Sequence, residues 1–317
     1  LVKIFYKREH NMKKGLYASN FSPIGLRGQL RHNEPMSQHT TWRVGGPAQW
    51  FYQPADLIDL IQLMQQLPID MPILWVGLGS NLLVREKGIA GIVILTAGLL
   101  NEINLIDTNT LCVQAGVSCA KIARFATQAQ LGGSEFLAGI PGTIGGALAL
   151  NAGAWGGETW ALVQSVETID RNGQQHHRTI IDYEIGYRHI KGPPNEWFIT
   201  ATLKLTPKPS EEGRTQIHSL LKQRNEKQPI GLPTCGSVFR NPPGDYAARL
   251  IEQAGWKGRR IGGAVVSEKH ANFIINQHNA TATDIENLIT QIKNSVAQQF
   301  GIHLIEEVHI VGERDNS

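Results

Sequence analysis

Cysteine is scarce in this chain. Cys112, Cys119 and Cys235 are the only three in 317 residues, an odd number without CxxC spacing. That argues against a disulfide framework or a zinc cluster and reads as reduced thiols in a reducing compartment. Excess charge is lacking too. Thirty Lys and Arg against 27 Asp and Glu leave a net +3, with the signs interleaved. This is too little to argue for nucleic acid, although a modest basic excess suits anionic small molecules. No apolar run approaches the roughly 18 residues that cross a bilayer. The basic N-terminus has no apolar h-region, so residues 1–20 read as a disordered extension rather than a signal peptide. HExxH, DxDxDG and GxSxG are absent, and nothing specifies a metal.

Glycine is abundant instead, with 33 residues. Much of it sits in short clusters, where a backbone must bend or approach a ligand closely. At 41% hydrophobic and 18% charged, the chain has the balance of a globular enzyme long enough for two or three domains.

Hydrophobic periodicity supplies a coarse map. Trp50 to Gln53 reads as a strand, Ala55 to Leu67 as an amphipathic helix, and Ile73 to Gly77 and Ile92 to Thr96 as buried strands. Leu111 to Ala115, Val163 to Ile169 and Trp197 to Leu205 alternate, as an antiparallel sheet requires. Asn172-Gly173 marks a hairpin turn. Cys119 to Leu131 reads as a helix. Thr206-Pro-Lys-Pro-Ser210 reads as a linker. Beyond it come a polar helix (about 211–225), a helix near Tyr246 to Ala254, a strand near Phe273 to Ile275, a helix from Asp284 to Phe300, and a last strand from His303 to Val311.

Two glycine clusters could carry chemistry. Val76-Gly-Leu-Gly-Ser-Asn-Leu-Leu83 follows a buried strand but is neither a dinucleotide fingerprint nor a P-loop. Its consecutive N–H groups could cradle pyrophosphate, or it could be a tight turn. Gly139-Ile-Pro-Gly-Thr-Ile-Gly-Gly-Ala147, followed by Asn151-Ala-Gly-Ala-Trp-Gly-Gly157, brackets one short helix with two glycine turns. Thr143 could cap that helix and bond a phosphate. The alternative is a helix packed in a crowded core. Tyr187-Arg188, Gly236-Ser-Val-Phe-Arg-Asn-Pro242 and Glu306-Glu307-Val308 are unremarkable when each is taken alone.

Taken together, these segments resemble the UDP-N-acetylenolpyruvoylglucosamine reductase family from about Asn33 to Glu313. The matches are Thr40-Thr41-x-x-Val-Gly-Gly-Pro-Ala48, Gly77-x-Gly-Ser-Asn-Leu-Leu83, Gly139-x-Pro-Gly-Thr-x-Gly-Gly146, Asn151-Ala-Gly-Ala154, Gly186-Tyr-Arg188, Lys227-Gln-Pro229, Gly236-Ser-x-Phe-x-Asn-Pro242, Ala254-Gly-Trp256 and Glu307-Val308. The glycine loops alone suggest the wider class of flavin proteins; the Ser237 and Glu307 segments narrow it to the reductase. The short path from Gly186 to the linker resembles the shorter form of the family, which lacks a tyrosine-loop insertion.

The resemblance implies an α+β fold. A two-part FAD-binding domain of the PCMH/vanillyl-alcohol-oxidase type (21–98 and 99–207) would be followed by a smaller α+β substrate-binding domain (208–317). It implies a cytoplasmic, monomeric enzyme with non-covalent FAD, NADPH as electron donor and a UDP-sugar substrate, and with no nucleic-acid or membrane partner. The enzyme would reduce an enolpyruvyl double bond on the route to peptidoglycan. Ser237 would donate the proton, with Arg188 and Glu307 as catalytic partners. Gly77, Gly79, Ser80, Asn81, Gly142, Thr143, Gly145 and Gly146 would hold FAD. Tyr187, Lys227, Asn241 and Gln253 would bind substrate.

The reaction's physical demand is clear. Charge develops next to a carboxylate and needs a fixed cation, which Arg188 can supply, and directed hydrogen bonds. A protonated Glu307 could donate one. The final segment departs from the family's usual Leu-Glu-x-Glu-Val. Glu307 is chosen over Glu306 because it precedes Val308. Cys235 stands where Ala is common and is not read as a flavin attachment point. The rival readings are an oxidase or dehydrogenase of the same flavin fold acting on a sugar or hydroxy acid, and a catalytically silent flavin- or nucleotide-binding module.

Overall fold

A computed structural model describes residues 21–313. The extension expected at 1–20 lies outside them. The chain gathers into two compact units built from interleaved segments.

The first unit takes the described part of Leu1–Asn33, Gln49–Gly77 and Ala90–Leu221. It contains two layered cores. In one, strands β1 (Gln29–Pro35), β2 (Pro47–Gln53), β5 (Ile89–Leu95) and β3 (Ile73–Val76) form a sheet in the order β1-β2-β5-β3. Strand β3 runs parallel to β5, with Ile73 opposite Ile92. Helix α1 (Leu57–Gln66) begins where the Asp56 side chain accepts from the Asp59 N–H at 2.9 Å, which satisfies one of the donors a helix start leaves open. Its apolar positions recur at helical spacing, so Leu60, Leu63 and Met64 are buried with Tyr52, Ile92 and Ile94.

The other core lies on the antiparallel sheet that the alternating patterns imply. Its order is Gln175–Thr179, Val163–Asp170, Glu196–Lys204, β7 (Thr110–Gln114) and β6 (Ile103–Asp107). The Asn172-Gly173 turn is present, with Gly173 at φ +78°. Helix α2 (Cys119–Gln128), capped by Ser118, buries Ile122, Ala123 and Ala126 in this core. Helix α3 (Ile144–Leu150) buries Ile144, Ala147 and Leu148 there. The expected linker is tied down: Thr206–Pro207 pairs with Leu131–Gly132, and the Ser210 hydroxyl donates to Thr127 O at 2.7 Å. Pro207 and Pro209 remove only their own two N–H donors from that stretch, so its other groups still form bonds.

The second unit takes Glu34–Ala48, Leu78–Ile89 and the described part of Lys222–Ser317. Helix α4 (Ser210–Lys227) ends in it. A three-stranded antiparallel sheet (Arg260–Ile261, Ala264–Val266, Ile274–Asn276) shares a core with α5 (Ala247–Gln253) and α6 (Ala282–Phe300). Trp42 is fully buried in that core, and its indole N–H donates to Ile274 O at 2.7 Å.

Helix α6 starts two residues earlier than its periodicity suggests. Thr281 accepts from the Asp284 N–H, and Asp284 accepts from the Thr281 N–H, each at 3.0 Å. This reciprocal capping box moves the start to Ala282. The last strand is shorter than expected. Only His309–Val311 pairs as a strand, parallel to β4 (Leu82–Val84). Residues 306–308 bond instead to the Ser237 segment. The α+β class is as the sequence implies.

Candidate active site

In the first unit, Gly77 follows β3 and lies against the cap of α3. A Cβ added at Gly77 would lie 2.5 Å from Thr143 Oγ1, so a side chain there would displace the cap. Thr143 is 2% exposed and is the N-cap of α3, its hydroxyl facing the Gly146 N–H at 3.4 Å. Gly142 O accepts from the Cys119 N–H, and the Gly145 N–H donates to Ala115 O, both at 2.9 Å. The Gly145 N–H is therefore already used, and the residue's smallness lets α3 press on Ala115. Gly146 is exposed, and an added Cβ would meet only Thr143 Oγ1, at 3.7 Å.

Tyr187 and Arg188 form the two-residue turn of a hairpin between Glu184–Gly186 and His189–Lys191. Arg188 has φ +52°, an uncommon backbone conformation for a residue with a Cβ. Its guanidinium donates to Gly153 O at 2.8 Å and to Asn151 O at 3.3 Å, and lies 5.1 Å from the centre of the Tyr187 ring. Strain of this kind is kept where the surroundings over-determine it, and it gathers at functional sites.

In the second unit, Gly79 has φ +61°, and an added Cβ would sit 1.9 Å from His39 O, so only glycine fits. Gly79 O accepts from the Thr41 N–H at 3.2 Å. Ser80 is half-buried. The Asn81 amide donates to Glu307 O at 3.0 Å, and Asn81 O accepts from the His309 N–H at 3.1 Å.

The Glu307 N–H donates to Val238 O at 2.8 Å, beside a bridge between Phe239 and Glu306. The backbone thus brings the segments of Ser237, Glu307 and Asn81 together. Ser237 is half-buried between the buried residues Cys235 and Val238. Asn272, 3% exposed, holds the same segment: its amide donates to Phe239 O at 2.8 Å and accepts from the Phe239 N–H at 2.9 Å.

Glu306 is ion-paired with Lys293 at 2.6 Å. Burial, reinforced by the Glu307 charge, pushes the Cys235 thiol well above its ordinary pKa. It is therefore protonated and a poor nucleophile.

The residues expected to bind substrate in this unit are spread over three elements. Lys227 ends α4 and is exposed. Asn241 accepts from the Ala247 N–H at 3.1 Å, and Gln253 from the Arg249 guanidinium at 2.6 Å. Among the described residues none of the three bonds to Ser237 or Glu307.

The surroundings of these loops fit an anionic dinucleotide cofactor. Thr41 Oγ1, Arg240 Nε and His309 Nε2 are buried and have no hydrogen-bond partner among the described residues. The backbones of Thr41 and His309 are bonded to Gly79 and Asn81. Burial, with the nearby Arg240 charge, lowers the His309 imidazole to about 4, so it is neutral near pH 7. Sequence reasoning missed Asn272 and Lys293, which belong to no local pattern. Asn151 was visible within its motif but was given no role.

Comparisons with known proteins place the chain among known families. Residues 228–311 match the family described as UDP-N-acetylenolpyruvoylglucosamine reductase, C-terminal domain, and residues 50–179 match an FAD binding domain. The UDP-N-acetylenolpyruvoylglucosamine reductase of Alkalilimnicola ehrlichii is 55% identical over 286 residues, covering 90% of this chain and 96% of that protein. The protein of the same name from Nitrosococcus oceani is 54% identical, covering 92% and 98%. The crystal structure of UDP-N-acetylenolpyruvylglucosamine reductase from Thermus caldophilus superposes with a TM-score of 0.77 at 32% identity, covering 90% of this chain and 99% of that one.

Proposed function

The chain belongs to the UDP-N-acetylenolpyruvoylglucosamine reductase family, and on that premise we propose that Ser237, Arg188 and Glu307 are its catalytic residues. The enzyme is an FAD-dependent oxidoreductase. It uses NADPH to reduce the enolpyruvyl double bond of UDP-N-acetylglucosamine enolpyruvate, giving UDP-N-acetylmuramate for peptidoglycan. FAD, when bound, would supply the two-electron chemistry that links NADPH oxidation to reduction of the alkene.

The chain's own residues manage charge and protons. Arg188 holds a permanent cation against the substrate carboxylate, into which negative charge spreads as the double bond is reduced. Ser237 Oγ gives its proton to the neighbouring carbon; the hydroxyl is a weak acid, but the carbon it meets is strongly basic. Glu307 directs a hydrogen bond at the same group. The observation that carries this reading is the direct backbone pairing of the Ser237 and Glu307 segments.

Gly77, Gly79, Ser80, Asn81, Gly142, Thr143, Gly145 and Gly146 would hold the FAD, and the small size of Gly145 also allows α3 its close approach to Ala115. Tyr187, Lys227, Asn241 and Gln253 bind the UDP-sugar. Segments 21–98 and 99–207 serve the flavin, and 208–317 serves the substrate. The enzyme works as a cytoplasmic monomer. No helix among the described residues is long and apolar enough to cross a membrane.

The test is anaerobic. Ser237→Ala and Arg188→Ala should keep bound flavin yet slow reoxidation of the reduced enzyme by substrate by a factor of about 100 or more. Near-normal reoxidation in either variant removes that residue from the mechanism.

A further inference from the structure

Asn151 is fully buried at the end of α3, in left-handed conformation with φ +44°. Asparagine tolerates that conformation better than most residues. Every polar group of its side chain is used. Its amide nitrogen donates to Gly186 O at 3.1 Å and to Glu158 Oε2 at 2.9 Å. Its amide oxygen accepts from the Trp160 N–H at 3.1 Å. Its own carbonyl accepts from Arg188 Nη1 at 3.3 Å, and two residues later Gly153 O accepts from Nη2 at 2.8 Å. One residue therefore holds the Arg188 turn at its base, through Gly186 O, and steers the guanidinium at its tip. The strained φ of Arg188 needs an external restraint of this kind.

We infer that Asn151 is the positioning residue for Arg188: it fixes the hairpin so that the guanidinium lies where charge develops on the substrate. This rests on the catalytic role given to Arg188 above. Asn151 is fully buried, so its influence on rate passes through Arg188. Misplacing a catalytic group by about 1 Å can cost about a hundredfold in rate, so the clamp has room to matter.

The experiment is a double-mutant cycle on the flavin-loaded enzyme. It compares wild type, Asn151→Gly, Arg188→Ala and the double variant. Glycine keeps the left-handed backbone and removes only the side chain. The readout is the anaerobic rate at which UDP-N-acetylglucosamine enolpyruvate reoxidises the reduced enzyme. Asn151→Gly should slow it at least about tenfold in the wild-type background and by less than about twofold in the Arg188→Ala background, because neighbours acting as a unit are not additive.

An equal factor in both backgrounds, or no effect in the first, overturns the inference while leaving Arg188 catalytic. A near-normal Arg188→Ala single variant overturns both, and that arm shows it directly. If Asn151→Gly loses its flavin or fails to fold, Asn151→Asp enters the same cycle. It keeps the acceptor for Trp160 but turns an oxygen toward Gly186 O and Glu158, and the same pattern of factors is expected and decides in the same way.

Discussion

Replacing Asn272 should uncouple the Ser237 loop from the core of its unit. The Asn272 amide bonds Phe239 as a neighbouring strand would, accepting from its N–H at 2.9 Å and donating to its C=O at 2.8 Å. Both residues are almost fully buried, at 3% and 1% exposure, so water cannot readily take over. Asn272→Leu keeps the volume and removes both partners. Each buried backbone group left unsatisfied costs about 1–3 kcal/mol, so the variant should lose about 2–6 kcal/mol, less whatever local relaxation recovers. Asn272→Asp keeps an acceptor for the N–H but offers the C=O no donor when ionised, so it too should be destabilised. The check is urea unfolding of the flavin-saturated enzyme, followed by circular dichroism and by flavin release, since two units need not unfold together. Because Ser237 lies two residues from Phe239, turnover should fall at temperatures where the variant remains folded. An Asn272→Leu protein within about 0.5 kcal/mol of wild type, the range of a neutral surface change, would refute the reasoning.

Three further outcomes follow from particular contacts. Glu306→Gln should retain turnover within about threefold, as its ion pair with Lys293 is half-exposed, while Glu307→Gln should lose most of it; steady-state assays that rank the two the other way reassign the acid. Gly79→Ala forces a Cβ to within 1.9 Å of His39 O at φ +61° and should cost more than about 1–3 kcal/mol, read as weaker flavin retention on gel filtration. Burial alone would raise Asp59, but the Tyr52 hydroxyl at 2.5 Å and the backbone N–H groups of Arg27 and Ala55 at 2.7 and 2.8 Å outweigh it and hold the carboxyl below its usual range. Its stabilisation is therefore complete above the unfolded-state pKa and is lost as pH falls through the lower folded-state value; Asp59→Asn should flatten the acid limb of stability measured from pH 7 to 3.

Periodicity in the sequence was enough to locate α1, α2 and the antiparallel sheet, because burial on one face dictates which residues can alternate or recur. The glycine loops and the Arg188, Ser237 and Glu307 segments were legible for a different reason: their residue types match a family motif by motif. Two boundaries were not legible. Helix α6 starts at Ala282 because Thr281 and Asp284 cap each other, an arrangement that hydrophobic spacing does not weigh. The last strand begins only at His309 because 306–308 bond to residues 238 and 239, a choice made across the chain. The clamp at Asn272 spans 33 residues, and the one at Asn81 spans 226. No local window contains both ends of either.

Those clamps share one chemistry. Asn151 holds the turn of Arg188 through Gly186 O, Asn272 holds the Ser237 segment through Phe239, and Asn81 holds Glu307 through its carbonyl. Each proposed catalytic residue sits on irregular backbone, where no continuous strand or helix ladder satisfies every peptide group, and buried peptide groups must be satisfied. A primary amide both donates and accepts, so it can replace the missing ladder. It also carries no charge. A lysine or aspartate in the same place would bond the backbone as well, but its field would act on the catalytic group its own clamp holds, in a low-dielectric setting where such fields are strong. Neutral clamps fix geometry without altering the electrostatics on which the proton and charge steps depend. Converting any one of them to Asp should therefore do more damage to rate than its loss of hydrogen bonds alone, and most at Asn81 and Asn151, whose amides bond Glu307 O and Glu158.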